Sequence, residues 1–356
     1  MFADRPQVRE LSGGRLHLSH GPIDVVLRAW GEPAAVAAAY RAVAGRFANI
    51  LPELCRELPR LKAPVGAGFP VASSGANFEA VLPRSPVGRR MATACLPFAD
   101  VFVTPMAAVA GAVADELMSV MRNAAELERA YVNDGGDIAV YCAPDTALDI
   151  GVAGGFGRGP VPWLNGRVRI DHGDGVGGIA TSGARGRSFS LGVADSVTVL
   201  AADAATADVA ATLIANAVDI DHPAIDRRPA SSLDPDSDLG GRLVTVSVGA
   251  LPRSVVLAAL EAGRQRAADY VARGLIVDAA LMLQGEIAMP VDGTVKGLGK
   301  GRRRMSCDRQ PRRNSPPPRG EGLGVGGLPI FEVCDSPPPC PSPTRGEGTL
   351  RLSLRH

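Results

Sequence analysis

Aromatic side chains are scarce in this chain, 4% of its 356 residues, which argues against binding nucleic acid by stacking bases on aromatic platforms. Six cysteines occur without any CxxC spacing: Cys307, Cys334 and Cys340 fall near the C-terminus, and Cys55, Cys95 and Cys142 are scattered. Neither a zinc site nor a disulfide framework is legible. No run approaches the roughly eighteen apolar residues that span a bilayer. The opening MFADRPQVRE also lacks the apolar stretch of a signal peptide. A cytoplasmic address without membrane contact is the expectation. Net charge is small too, +1 overall, but unevenly spread. From Asp292 to His356 there are 12 Lys or Arg against 6 Asp or Glu, and the residues before them carry 26 against 31. The body is mildly acidic and so lacks the electrostatic footprint for DNA, RNA or an anionic membrane.

What the chain does have is 46% hydrophobic content, enough for a substantial core. Ala and Gly are abundant, so that core must be built from small and branched aliphatic side chains with backbones close together. After Met289 the text changes to alternating Gly-rich, Arg-rich and Pro-rich blocks that cannot bury a core. Two pieces, SPPPRGEG and SPTRGEG, nearly repeat, as a translated inverted DNA repeat would. Residues 1–290 are therefore expected to form the folded domain. Residues 291–356 are expected to be a disordered low-complexity tail from a frameshift or read-through. The alternative for the tail is a basic arm for nucleic acid, built on Arg302-Arg303-Arg304 and Arg312-Arg313.

Along the body, RLHLSHGPIDVVLRAW from Arg15 to Trp30 reads as two strands around a Gly21-Pro22 turn. Pro33 to Leu61 has helical spacing, with Pro52 expected to end or kink it. Lys62 to Pro86 reads as a long surface connection. Thr104-Pro105-Met106 opens a helix reaching Met121, with Thr at the cap and Pro at the first helical position. Arg129 to Cys142 reads as strand, glycine turn, strand. Asp145 to Gly178 looks loop-rich, and Gly178 to Leu200 passes from a Ser/Gly/Arg loop into a strand. A helix follows over Ala204–Val218, a strand over Leu243–Val248, a helix over Ser254–Arg273 and a strand over Leu275–Gln284. Strands and helices alternate irregularly, which favours an α/β or α+β fold without demanding a doubly wound sheet.

Three constellations can carry chemistry. In Val132-Asn133-Asp134-Gly135-Gly136-Asp137-Ile138, adjacent glycines inside a strand mark either a tight turn or a place where a ligand meets the backbone. In Ala207-Asp208-Val209-Ala210-Ala211-Thr212, the i to i+4 spacing puts a carboxylate and a hydroxyl on one helical face, where two hard oxygens suit Mg²⁺ or Ca²⁺. The competing reading is a first-turn acid that favours the helix dipole. In Ala180-Thr181-Ser182-Gly183-Ala184-Arg185-Gly186-Arg187-Ser188, small residues, hydroxyls and two guanidinium groups form either a phosphate cradle or a flexible polar loop.

Taken in order, these pieces resemble the ApbE family of flavin transferases. The family's Lys-Gly-x-x-x-Asp helix corresponds to Ala110-Gly111 with Asp115, and its double-glycine strand turn to Val132–Ile138. Its Ser-Gly loop corresponds to Ala180–Gly183, and its last strand and helix to Ser196-Val197-Thr198-Val199 leading into Asp208 and Thr212. The fuller text looks like an uncharacterised branch of ApbE-like proteins over most of residues 10–287. The resemblance implies a T-fold-like sheet and helix architecture. It also implies Mg²⁺ held by Asp208, Thr212 and a backbone carbonyl near Val109, beside an FAD pyrophosphate. Asn133, Gly135, Gly136, Asp137, Thr181, Ser182, Gly183, Arg185 and Arg187 would line the flavin-nucleotide site. The partner implied is a small-molecule nucleotide or flavin, with a homodimer as one option for assembly. Two departures bear on activity. Ala110 stands where the family has lysine, and Phe189 and Ser190 stand where the family has a His-x-x-Asp-Pro-x-Thr-Gly segment. FMN transfer, FAD hydrolysis and flavin binding without chemistry are the functions these features leave open, with His172 and His222 as the histidines nearest the motifs in sequence.

Overall fold

The structure, a computed structural model, describes residues 5–65, 82–155, 163–186, 188–290, 306–307 and 333–334. Three strands open it: β1 (Gln7–Leu11), β2 (Arg15–His20) and β3 (Ile23–Trp30). Every second residue of β2 and β3 is buried, the pattern of strands with one face on a core. Helix α1 (Pro33–Leu61) follows and buries Ala39, Val43, Phe47, Ile50, Leu51, Leu54 and Leu61 along one stripe. It runs through Pro52 and Pro59 to Leu61, so Pro52 does not end it. Each proline removes one backbone hydrogen bond, and the continued burial of Leu54 and Leu61 outweighs that loss.

Helix α2 (Pro86–Cys95), which the sequence pattern did not suggest, starts at Ser85, whose hydroxyl accepts the Gly88 N–H at 3.2 Å. The helix expected from Thr104 opens instead as a 3₁₀ turn at Pro105–Ala108 and becomes α-helical in α3 (Val109–Ala124). Then come β4 (Arg129–Asp134), β5 (Asp137–Cys142), β6 (Ala147–Gly155), β7 (Trp163–Asp171), β8 (Gly178–Ser182), β9 (Ser196–Ala201) and α4 (Ala204–Ala217). The last part holds β10 (Ile225–Pro229), the single turn α5 (Ala230–Leu233), β11 (Leu243–Val248), α6 (Arg253–Ala272), β12 (Asp278–Leu283) and β13 (Glu286–Ala288).

Nine strands form one sheet in the order β1-β2-β3-β4-β5-β8-β9-β12-β13, and every pairing in it is antiparallel. The fold is therefore α+β. One face of the sheet packs on α1, α3, α4 and α6 in a core rich in Ala and Val. The other face is covered at its centre by the β6–β7 hairpin. Leu148, Ile150, Val168 and Ile170 pack there on Tyr131, Ile138, Val140, Ile179 and Leu200. This hairpin corrects the loop-rich expectation for Asp145–Gly178: its alternating apolar residues are real, but interspersed glycines hide the period. Two dipeptides beyond residue 290 lie beside it, β14 (Ser306–Cys307) along β7 and β15 (Val333–Cys334) along β6.

The close packing that an Ala- and Gly-rich composition demands is visible at two helix contacts. A Cβ on Gly111 of α3 would sit 2.2 Å from the Ala204 carbonyl oxygen of α4. One on Gly263 of α6 would sit 2.3 Å from the Val218 side chain. Among the described residues, no helix is long and apolar enough to cross a membrane.

Candidate functional site

One end of the sheet gathers the motif segments. The β4–β5 turn has only two residues, Gly135 and Gly136, between the paired Asp134 and Asp137. Their φ values of 65° and 116° are the left-handed conformations that primed hairpin turns require. Asn133 stabilises the turn by accepting the Gly136 N–H on its side-chain oxygen at 2.8 Å. The turn reading of the glycine pair is thus correct. The ligand reading survives beside it, because Gly135 and Asp137 also border a cavity of about 400 Å³.

That cavity draws on four stretches distant in sequence. Pro22 and Ile23 come from the β2–β3 turn, and Met106, Val109 and Ala110 from the start of α3. Asp134, Gly135 and Asp137 come from the β4–β5 corner. The end of β8, the loop after it and the first residue of β9 supply Thr181, Ser182, Gly183, Gly186, Ser188, Asp195 and Ser196. Its lining mixes apolar residues, Pro22, Ile23, Met106 and Val109, with the hydroxyl-bearing Thr181, Ser182, Ser188 and Ser196. Asp134 is buried, and its carboxylate accepts the Asp24 N–H at 3.4 Å.

Asp208 sits behind this wall. Its Oδ2 accepts the Gly111 N–H at 3.1 Å, so the carboxylate of α4 caps the first turn of α3. The favour is returned. Asp115 of α3 accepts the N–H groups of Ala204 and Ala205 at 3.0 and 2.9 Å, capping α4. Asp203 completes that end by accepting the Thr206 N–H at 2.7 Å. Gly111 lets the two helices approach closely enough for both caps to form. The Ala110-Gly111 and Asp115 motif thus has a clear structural purpose, and so does one oxygen of Asp208.

Both acids stay in an environment that resists ionisation. Burial raises the Asp208 carboxyl to about 7, against the pull of the Gly111 and Ala110 N–H groups, and the nearby Asp134 and Asp115 charges add to the rise. Burial likewise raises Asp115 to about 6, partly offset by its Ala205 and Ala204 hydrogen bonds. Asp208 nevertheless keeps some exposed surface, although it is not among the residues that line the cavity. One turn further along α4, the Thr212 hydroxyl donates to the Ser182 hydroxyl oxygen at 3.4 Å. That contact ties the acid–alcohol pair to the Ser-Gly loop.

The remaining sequence candidates divide. Thr181 lines the cavity, but its hydroxyl shares a 2.8 Å hydrogen bond with the Thr198 hydroxyl. A Cβ on Gly183 would meet the Asp195 carbonyl oxygen at 2.6 Å, so the loop passes tightly over the start of β9. Arg185 is exposed and donates to Asp195 at 2.7 Å, while the second oxygen of Asp195 accepts the Gln284 N–H at 2.6 Å. Arg187 lies outside the described residues. Neither His172, which bonds the Cys142 carbonyl at 2.8 Å, nor His222, which accepts the Ala224 N–H at 3.1 Å, borders the cavity. Sequence reading missed Asp195 and the Pro22-Ile23 corner as lining; Asp134, Ser188 and Ser196 stood inside the quoted motifs without being singled out as site residues. Among the described residues, no group of three or more His, Cys, Asp or Glu side chains is set to hold a metal ion.

An antiparallel α+β fold with a cavity built from the double-glycine corner, the Ser-Gly loop and the start of a small-residue helix defines an ApbE-like protein. Residues 8–289 match the family described as AbpE bacteria, and the chain belongs to that family. Curated relatives bear a name without a function. A UPF0280 protein of Methanothrix thermoacetophila is 39% identical over 134 residues, 37% of this chain and 52% of that one. A UPF0280 protein of Methanopyrus kandleri is 34% identical over 165 residues, 46% of this chain and 61% of that one. The chain thus spans about half the length of the curated relatives it matches. Among solved structures, the ApbE protein of Thermotoga maritima aligns with a TM-score of 0.40 at 14% identity, covering 80% of this chain and 96% of that one. The flavinyl transferase ApbE of Pseudomonas stutzeri in its apo form aligns at 0.32 and 11%, covering 81% and 95%.

Proposed function

We propose that the cavity is a Mg²⁺-dependent site for a flavin nucleotide, FAD in the first instance, and that the protein transfers or hydrolyses its flavin phosphate. The observation that carries this reading is the convergence on one cavity of the start of α3, the double-glycine corner and the Ser-Gly loop, three of the segments that carry the family likeness, with Thr212 of α4 hydrogen-bonded to Ser182 at its wall. The donor set suits a hard dication. Asp208, Thr212 and the Val109 carbonyl offer only oxygen, and a carboxyl held near 7 by burial and by two neighbouring acids gains from a nearby positive charge. Those three groups would hold the ion, which supplies charge neutralisation beside a pyrophosphate.

The chain's own residues supply position. The Ser182 and Ser188 hydroxyls and the loop backbone around Gly183 and Gly186 would donate to phosphate oxygens. The Gly135-Gly136 corner, held by Asn133, gives a ligand access to the backbone, and Asp137 orients that end. Arg185 can serve phosphate only by sharing or leaving Asp195, and Arg187 would be a second guanidinium on the same loop. Incubation with FAD and Mg²⁺ followed by chromatography tests the proposal. Release of AMP with free FMN means hydrolysis, and AMP with protein-bound FMN means transfer.

A second reading is favoured by one observation. Among the described residues that line the cavity there is no Lys, Arg or His, so the usual cation for phosphate and the usual proton carrier at neutral pH are both lacking. In that reading the protein holds a flavin without transforming it, and the same incubation returns intact FAD from a complex.

A further inference from the structure

The core layer stops one strand short of the edge of the sheet. β1 is the terminal strand of the nine. Its Val8 lies opposite Leu18 and its Glu10 opposite Leu16, and directly opposed residues project from the same face of a sheet. Leu18 is fully buried and Leu16 nearly so, yet Val8 is 47% exposed. The result is a groove between β1, β2 and α1, of about 530 Å³, bordered by Val8, Glu10, Val36, Ala37, Tyr40 and Arg41 among others. Its lining is mostly apolar and carries one charge of each sign. Glu10 and Arg41 are both exposed, and among the described residues neither side chain has an ion-pair or hydrogen-bond partner. One turn beyond Arg41, Gly45 is also exposed, and a Cβ added there would meet nothing within 4 Å. Glycine inside a helix is unfavourable relative to alanine, and the packing of this chain does not call for it.

We propose that the groove is the contact between two copies of the chain, related by a two-fold axis that sets α1 against its counterpart and brings Glu10 of each copy to Arg41 of the other. A two-fold contact uses the same patch twice, so its charged residues must complement each other, and this pair does. A purely apolar occupant would leave both charges unmatched, and an occupant charged with one sign would leave one. The free edge of β1 and the bare position at Gly45 leave room for the second copy, which would also cover Val8. The groove shares no lining residue with the flavin-nucleotide cavity, so this inference stands or falls independently of that reading.

Sedimentation velocity at low salt on the full chain tests it, with Glu10→Arg, Arg41→Glu and the double exchange Glu10→Arg/Arg41→Glu. The wild type should be a dimer that weakens as salt is added. Each single change sets like charges against each other at two symmetric places and should raise the dissociation constant of the dimer roughly tenfold or more. The double exchange restores both attractions and should return it to within roughly threefold of the wild type. Should a charge variant not fold, Val8→Asp, which puts a charge on the apolar lining, should likewise give a monomer. A wild type that stays monomeric up to its highest soluble concentration, a dimer indifferent to the single changes or to Val8→Asp, or a double exchange that stays apart overturns the proposal.

Discussion

The crossing of α3 and α4 and the rim of the cavity lie side by side, use similar residues and treat them oppositely. At the crossing, Gly111 has no room for a side chain, and Asp115 and Asp208 are bonded to main-chain N–H groups of the facing helix. At the rim, Gly135, Asp137, Ser182, Gly186 and Ser188 border open space. Small and acidic residues thus serve as fasteners in one place and as lining in the other. Composition alone does not separate the two uses.

Substitution should break this contrast most sharply at the crossing. Gly111→Val would force the helices apart at a backbone contact and should cost about 3 kcal/mol or more of stability in urea unfolding. A loss under about 1 kcal/mol would mean that the helices are not held in contact there. Asp115→Ala should come next, at about 2 kcal/mol, because two N–H groups of α4 lose their acceptor together.

The same residue predicts a pH dependence. A carboxyl whose folded-state value is raised to about 6 favours the fold below the unfolded value of 3.8, and that contribution is lost as pH rises through about 6. Wild-type stability should therefore fall by on the order of 2 kcal/mol between about pH 4 and 7 through Asp115. Asp115→Asn, which keeps one acceptor, should flatten that slope. An unchanged slope would place the titration elsewhere.

At the rim the effects should be smaller for stability and larger for binding. Gly136→Ala puts a side chain on a residue at φ 116° and should cost about 1 kcal/mol. It should weaken FAD binding more than that loss of stability accounts for. Smallest of all, we propose that residues 291–356 lie outside the domain, in keeping with a family match that ends at residue 289. Removing them should change stability by no more than about 0.5 kcal/mol, despite the two dipeptide strands beside the β6–β7 hairpin. A larger drop would make those strands part of the fold.

Much of the fold could be read from local pattern because its determinants are local. The β2–β3 and β4–β5 hairpins, α4, β11 and α6 all lie within a residue or two of their expected limits. Departures occurred where tertiary packing carried a helix past an expected stop, as α1 runs on beyond Pro52, or where glycines diluted an alternating strand, as in β6 and β7. The site followed the same division. The glycine corner and the Ser-Gly loop announced themselves through short motifs. By contrast, the capping duties of Asp115 and Asp208 depend on partners 89 to 97 residues away in sequence, which no spacing can reveal. Asp134 was visible only as a polar neighbour of two glycines, and its burial beside Asp208 comes from the sheet register.

The mutual capping also bears on how the chain acquires its shape. Neither helix has its end satisfied until the other has arrived, so ordering of α3 must wait on a segment made almost a hundred residues later, and loop closure over that span precedes any reward. The amide protons of Gly111, Ala204 and Ala205 should consequently exchange with solvent together, and only when the whole domain opens.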